Sequence, residues 1–158
     1  MLQRATIAAA AAHHPPLIIA DEPTSALDAD RADATLGALK QTGSALLLVS
    51  HDIGVVARHA DRIAVCYAGE IVEINDAHAL LQQPRHPYTI RLLRARPSVP
   101  GLLPSPLPGA PPKLIGSFTG CAFAPRCSRA DSVCSQTRPE LVAVAPGHQV
   151  ACWHWQEG

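Results

Sequence analysis

The sequence predicts an α/β fold: a mainly parallel sheet with flanking helices, followed by a loop-rich tail that carries cysteines. Three observations lead there. Two short apolar runs, "PPLIIAD" and "SALLLVSHD", end on acidic or histidine side chains and are separated by a helical pattern. Both runs are apolar at successive positions, as expected of strands covered on both faces of a parallel sheet. Four of the five cysteines fall in the last forty residues, after a stretch with seven prolines between Pro97 and Pro112.

Taken in order, the alanine-rich segment Leu2 to Ala12 reads as a short helix stopped by His13, His14, Pro15 and Pro16. "PPLIIAD" is the first strand. Asp28 or Asp30 caps a helix running to about Gln41, with Ala32, Leu36 and Leu39 on one face and Gly43 ending it. "SALLLVSHD" is the second strand, and "IGVVARHA" a helix with Ile53, Val56 and Ala57 inward. "DRIAVCYAGEIVEIN" reads as two strands joined by a tight turn at Ala68 and Gly69, with Cys66 in the core. Residues Asp76 to Gln83 form a short helix, and "HPYTIRLLRARPSV" another, with Pro87 fixing its entry and Tyr88 packing. The domain reading is residues 1–83, then an extension over 84–158 with a proline-rich linker at 97–112 and a cysteine tail at 114–158.

Composition limits the function. The 158 residues are 47% hydrophobic and 16% charged, with a formal net charge of zero. The scattered Lys and Arg leave no electrostatic footprint for nucleic acid or an anionic membrane. No apolar run is long enough to span a bilayer, and the start lacks a basic leader, so the chain reads as cytosolic.

The acids that end the first strand carry the chemistry. Ligands of open α/β sheets gather at the carboxyl ends of strands. Asp21 suits a hydrated Mg²⁺ bearing nucleotide phosphates, a hard cation that takes oxygen ligands. Glu22, pointing differently, can orient or deprotonate an attacking water.

The whole phrase "LIIADEPTSALD", followed by "SHD" at the end of the next apolar strand, resembles the ATP-binding subunits of ABC transporters. The resemblance implies a P-loop ABC-type nucleotide-binding domain using ATP and Mg²⁺. It makes the first strand the Walker B motif, with Asp21 serving Mg²⁺ and Glu22 the catalytic carboxylate. Ser25, Ala26, Leu27 and Asp28 become the D-loop, facing a second ATP-binding subunit, and His51 the switch histidine that contacts the γ-phosphate. His13, His14, His59, His78, His148 and His154 keep a structural reading.

The family places "QR" directly after its signature motif, and Gln3 and Arg4 stand there. No G-x-x-x-x-G-K-[ST] occurs in the sequence. These residues therefore read as the carboxyl-terminal part of an ATPase, expected to be inactive alone and prone to aggregate through exposed sheet edges. "QQPRHPYTIRLLRARPSVPG", "LPGAPPKL" and "GCAFAPRCSRADSVC" resemble the extension of the dipeptide, oligopeptide and nickel uptake branch. That implies a role with membrane permease subunits at the cytoplasmic face of the membrane. A non-hydrolysing truncated product, or a metal-binding module built on the tail, is the competing reading.

Five, six and seventeen residues separate Cys121, Cys127, Cys134 and Cys152. Four thiolates can surround a tetrahedral zinc or an iron–sulfur cluster, shielded by Phe118, Phe123, Trp153 and Trp155. The resemblance to the peptide branch favours a [4Fe–4S] cluster; zinc, another metal, and free or oxidised thiols are the alternatives.

Overall fold

A computed structural model describes residues 2–25, 27–95 and 118–157. Ala26 of the expected D-loop and the linker at 97–112 lie outside them. The chain divides into two compact units, Met1–Ala60 and Asp61–Gly158, so the boundary expected between residues 83 and 84 falls inside the second.

In the first unit, helix α1 (Leu2–Ala11) leads to strand β1 (Leu17–Asp21), helix α2 (Ala29–Lys40), strand β2 (Ala45–Val49) and helix α3 (Ile53–His59). β1 and β2 are parallel, running in register from Leu17 opposite Ala45 to Asp21 opposite Val49. Ser44 Oγ donates to Pro15 O at 2.6 Å and Ala45 N to Pro16 O at 3.0 Å, which sets where the pair begins.

Helix α2 starts because the Asp28 carboxylate accepts from Arg31 N at 2.9 Å, satisfying a first-turn donor. Its end is tied by Thr42 Oγ1, which donates to Leu39 O at 2.7 Å, and by Gly43, whose φ of +77° turns the chain back. Ala32, Leu36 and Leu39 are buried and pack with Ile18, Val55, Leu46 and Leu48. Leu36 is fully buried, worth about 1.5–3 kcal/mol by transfer alone.

Two expectations change here. The pair is covered on one face only: Ile18, Ala20, Leu46 and Leu48 pack on the helices, while Leu17, Ile19, Leu47 and Val49 are about half exposed. Successive strand side chains point to opposite faces, and the described helices pack on one of them. In α3 the buried residue is Val55, with Ile53, Val56 and Ala57 only half-buried. Asp52 sets that phase by accepting from Gly54 N and Val55 N at 2.7 and 3.2 Å.

The second unit is an antiparallel sheet in the order β3-β4-β6-β5, with strands Arg62–Tyr67, Glu70–Asp76, Val142–Ala145 (β5) and His148–Val150 (β6). Thus β1 and β2 are the only parallel neighbours among the described residues, and the sheet is not mainly parallel. A two-residue connection such as Ala68-Gly69 can only join antiparallel strands. Both of its residues have positive φ, +52° and +81°, matching the twist of the hairpin.

A bulge between Val65 and Cys66 shifts the register, so Val65 pairs with Glu73 but Cys66 with Ile71. Val72 and Glu73 are consequently both buried. Cys66 is exposed, against the core position expected for it, because Val65 and Tyr67 take the inward side of the strand. The tail is also less irregular than expected: β5 and β6 form a hairpin turning at Gly147, and β6 pairs with the free edge of β4 through Glu73–Val150 and Ile74–Gln149.

Helix α4 (Ala77–Gln82) is capped by Asp76, and α5 (Pro87–Arg94) by His86, whose Nδ1 accepts from Tyr88 N at 3.0 Å. Pro87 at the first helical position gives up no intrahelical bond. Tyr88 packs against Tyr67 at 4.6 Å with the rings tilted by 54°, and Phe123 meets Tyr67 edge-on at 5.2 Å. These rings close a core with Val65, Val72 and Leu80.

Candidate functional site

The first site stands at the carboxyl ends of β1 and β2. Parallel register carries Asp21 and Val49 to the same level, so the residues that follow each strand meet. Glu22 N donates to Val49 O at 2.9 Å, extending the ladder one step. From there the Glu22 carboxylate reaches His51. Its Oε1 accepts from His51 N at 3.0 Å and lies 2.8 Å from His51 Nδ1.

Glu22 adopts a φ of +46°, a left-handed conformation costly for a residue with a Cβ and often found at functional positions. The following turn holds it: Ser25 N and Ser25 Oγ both donate to Glu22 O, at 3.3 and 3.2 Å. Glu22 Oε2 is buried and has no hydrogen-bond partner among the described residues. The His51 ring is largely exposed, and the hydrogen bond and charge of Glu22 raise its pKa above the ordinary imidazole value. Asp21 is exposed beside the pair. Ser25 is exposed, Leu27 packs on the core of the first unit, and Asp28 serves as the cap of α2.

The second site lies in the second unit. Cys121, Cys127, Cys134 and Cys152 all line one cavity, together with Phe123 and Arg129. They converge because two turns fold the loop onto helix α6 (Ser132–Gln136): Cys121 N donates to Cys134 O at 2.8 Å, and Cys127 N to Ala124 O at 3.1 Å. Gly120 permits the first contact, since a Cβ there would collide with the carbonyls of Cys134 and Ser135. No cysteine is in a disulfide. Burial pushes the thiols of Cys121 and Cys134 up, and that of Cys152 to about 11. Of the expected shielding rings, Phe123 is buried, whereas Trp153 is 44% exposed.

Sequence reasoning missed two neighbours of Cys134. Asp131 accepts from Cys134 N at 3.0 Å and caps α6, and His154 Nε2 lies 3.0 Å from the other Asp131 oxygen. Ligand atoms of Asp131, Cys134 and His154 lie within 4.8 Å of one another. The only signal was the place of His154 two residues after Cys152. The Cys134 N–H and then His154 hold the Asp131 carboxyl below the usual range.

A strand-end acid pair joined to a strand-end histidine is an arrangement suited to handling phosphates on an α/β scaffold. Comparison with known proteins sets the chain beside the ATP-binding proteins of peptide-type ABC transporters, which it resembles over nearly its whole length. A family model described as the C-terminal region of oligopeptide/dipeptide transporters matches residues 72–134. The chain is 45% identical over 157 residues to the oligopeptide transport ATP-binding protein OppD of Mycobacterium tuberculosis, covering 95% of this chain and 26% of that protein. It is 43% identical over 169 residues to a Brucella ovis protein named for peptide import and ATP binding, covering 99% and 50%. With the dipeptide transport ATP-binding protein DppD of Bacillus subtilis it shares 40% over 159 residues, covering 97% and 48%. The chain thus spans between a quarter and a half of the length of these relatives.

Proposed function

We propose that this chain is the carboxyl-terminal part of an ATP-hydrolysing subunit that drives uptake of dipeptides or oligopeptides. The observation that carries it is the Glu22–His51 pair beside Asp21, at the ends of adjacent parallel strands. The names of the relatives supply the peptide class.

ATP with Mg²⁺ would supply the scissile phosphoanhydride and its charge neutralisation. The residues present fit that group: an exposed carboxylate at a strand end, and beside it a second carboxylate with one oxygen unengaged. Asp21 would hold the cation. Glu22 would orient and deprotonate water through Oε2, because its Oε1 is already taken by His51. His51 binds Oε1 twice, by ring and by backbone N–H, so the ring can turn to a phosphate oxygen while the backbone keeps Glu22 in place. Ser25, Leu27 and Asp28, with Ala26, would face a second ATP-binding subunit. Permease subunits at the cytoplasmic face of the membrane would be the other partners, and no described helix is long and apolar enough to cross a membrane itself.

The 158 residues contain no G-x-x-x-x-G-K-[ST], hence no backbone cradle and lysine for the phosphates, and by themselves should hydrolyse no ATP. The test is Glu22→Gln in a subunit that supplies this loop. Turnover should fall by about 10²–10⁴-fold while nucleotide binding persists; unchanged turnover would remove Glu22 from the reaction.

In the tail, a [4Fe–4S] cluster held by Cys121, Cys127, Cys134 and Cys152 is the favoured occupant. All four line one cavity, yet no three of their sulfurs lie within 4.8 Å of one another. Tetrahedral zinc with Zn–S of about 2.3 Å needs sulfurs about 3.8 Å apart, whereas a cluster separates its thiolates more widely. Burial raises the pKa of the Cys121, Cys134 and Cys152 thiols, so loading a metal there would release protons.

A further inference from the structure

Arg129 enters the cysteine cavity from the loop after Cys127. Its backbone N–H donates to Cys127 Sγ at 3.4 Å, which fixes the start of the side chain against that sulfur. The side chain then lines the same cavity as the four cysteines. Its Nη1 is buried and has no hydrogen-bond partner among the described residues. A guanidinium is a permanent cation with donors only, so a buried unmatched N–H is a cost that an anionic acceptor would remove.

The cavity holds no other Arg or Lys among its lining residues. Of its two histidines, His154 lies against Asp131, and His86 spends Nδ1 on the amide of Tyr88. Asp131 is not its partner: its oxygens receive Cys134 N and His154, and Arg129 Nη1 makes no hydrogen bond to it. What can satisfy Arg129 is a sulfur of the metal–thiolate assembly.

We infer that Arg129 is a positioning residue for that assembly, donating Nη1–H to one of its sulfurs and compensating its charge. The inference rests on the reading that the four cysteines hold a [4Fe–4S] cluster. Four thiolates on the oxidised 2+ core leave two net negative charges, and one-electron reduction makes three. The electron comes from an external reductant; no bond is formed or broken and no proton is required. A guanidinium beside the cluster favours the more negative state, so it raises the reduction potential.

The test reconstitutes the full chain anaerobically with iron and sulfide, as wild type, Arg129→Lys and Arg129→Met. Iron is counted, and the potential is read from the visible absorbance during a reductive titration. All three should load the same iron. Arg129→Met should shift the reduction equilibrium at least tenfold toward the oxidised form, about 59 mV for one electron, with Arg129→Lys in between. Should Arg129→Met not fold, Arg129→Gln keeps a donor, loses the charge and should shift in the same direction. Full iron loading with an unchanged potential overturns the role of Arg129 and leaves the cluster reading standing. A wild type that takes up no four-iron cluster overturns the cluster reading and this inference with it.

Discussion

Glu73 is where a single substitution should do most damage to the second unit. The side chain is fully buried in β4, and its carboxylate gathers three donors from two distant segments. Oε1 accepts from Arg85 N at 2.7 Å and lies 2.8 Å from His148 Nε2, while Oε2 accepts from His86 N at 3.0 Å. One carboxylate thereby holds the entry of α5 and the first residue of β6 against β4.

Glu73→Ala leaves two backbone N–H groups and a buried imidazole without an acceptor. Hydrogen bonds to charged groups are worth about 1.5–3 kcal/mol each, and breaking a buried pair from one side costs about 3–5 kcal/mol. The contributions share one group and do not add, so the expected loss is about 4 kcal/mol. For a domain of up to 100 residues that lowers Tm on the order of 15–30 °C. Both tryptophans, Trp153 and Trp155, belong to this unit, so their fluorescence follows its melting. Glu73→Gln, which keeps the shape and one acceptor oxygen, should fall between. A Glu73→Ala protein that melts with the wild type would refute the reasoning, since its core would then carry three orphaned donors at no cost.

Three further outcomes follow from the same geometry. The His51 ring, followed by NMR, should titrate above the ordinary value of 6.5 and move back down in Glu22→Gln; an unchanged midpoint would mean that the carboxylate does not govern it. Burial depresses the pKa of His86 from 6.5 to about 4, so the unfolded chain binds a proton that the folded chain refuses. The corresponding stability is present above pH 6.5 and is lost as pH falls toward 4, up to about 3 kcal/mol; His86→Asn should remove this part of the slope, and an identical slope in both proteins would disprove it. Thr89 is fully buried in α5, and its Oγ1 has no hydrogen-bond partner among the described residues. Thr89→Val should stabilise the second unit by about 1 kcal/mol in a urea melt, and a loss would show that the hydroxyl is satisfied.

Much of the local structure was legible. The cap of α2 at Asp28, the hairpin turn at Ala68-Gly69 and the helix entry at His86-Pro87 depend on residues that touch their chain neighbours. The acids at the end of β1 and the histidine after β2 could be located for the same reason, and parallel register then brings Glu22 to His51.

Burial was less legible. Apolar runs in β1 and β2 do not reveal which face is covered, because pattern alone identifies no covering partner. Cys66 read as core from its apolar neighbours, but strand alternation and the bulge turn it outward. Glu73 stands between Val72 and Ile74 with nothing local to mark it, and only the docking of α5 and β6 makes it a buried clasp.

The sequence by itself determined the helices and strands up to α5, their caps and turns, and the acids and thiols available for chemistry, since these follow from periodicity and short-range hydrogen bonding. Tertiary structure alone decided that β6 joins β4, that four cysteines share a cavity, and that Arg129, Asp131 and His154 stand beside them. Those choices join residues far apart in the chain. They are settled by which buried surfaces and polar groups satisfy one another in three dimensions, information that no local window of sequence contains.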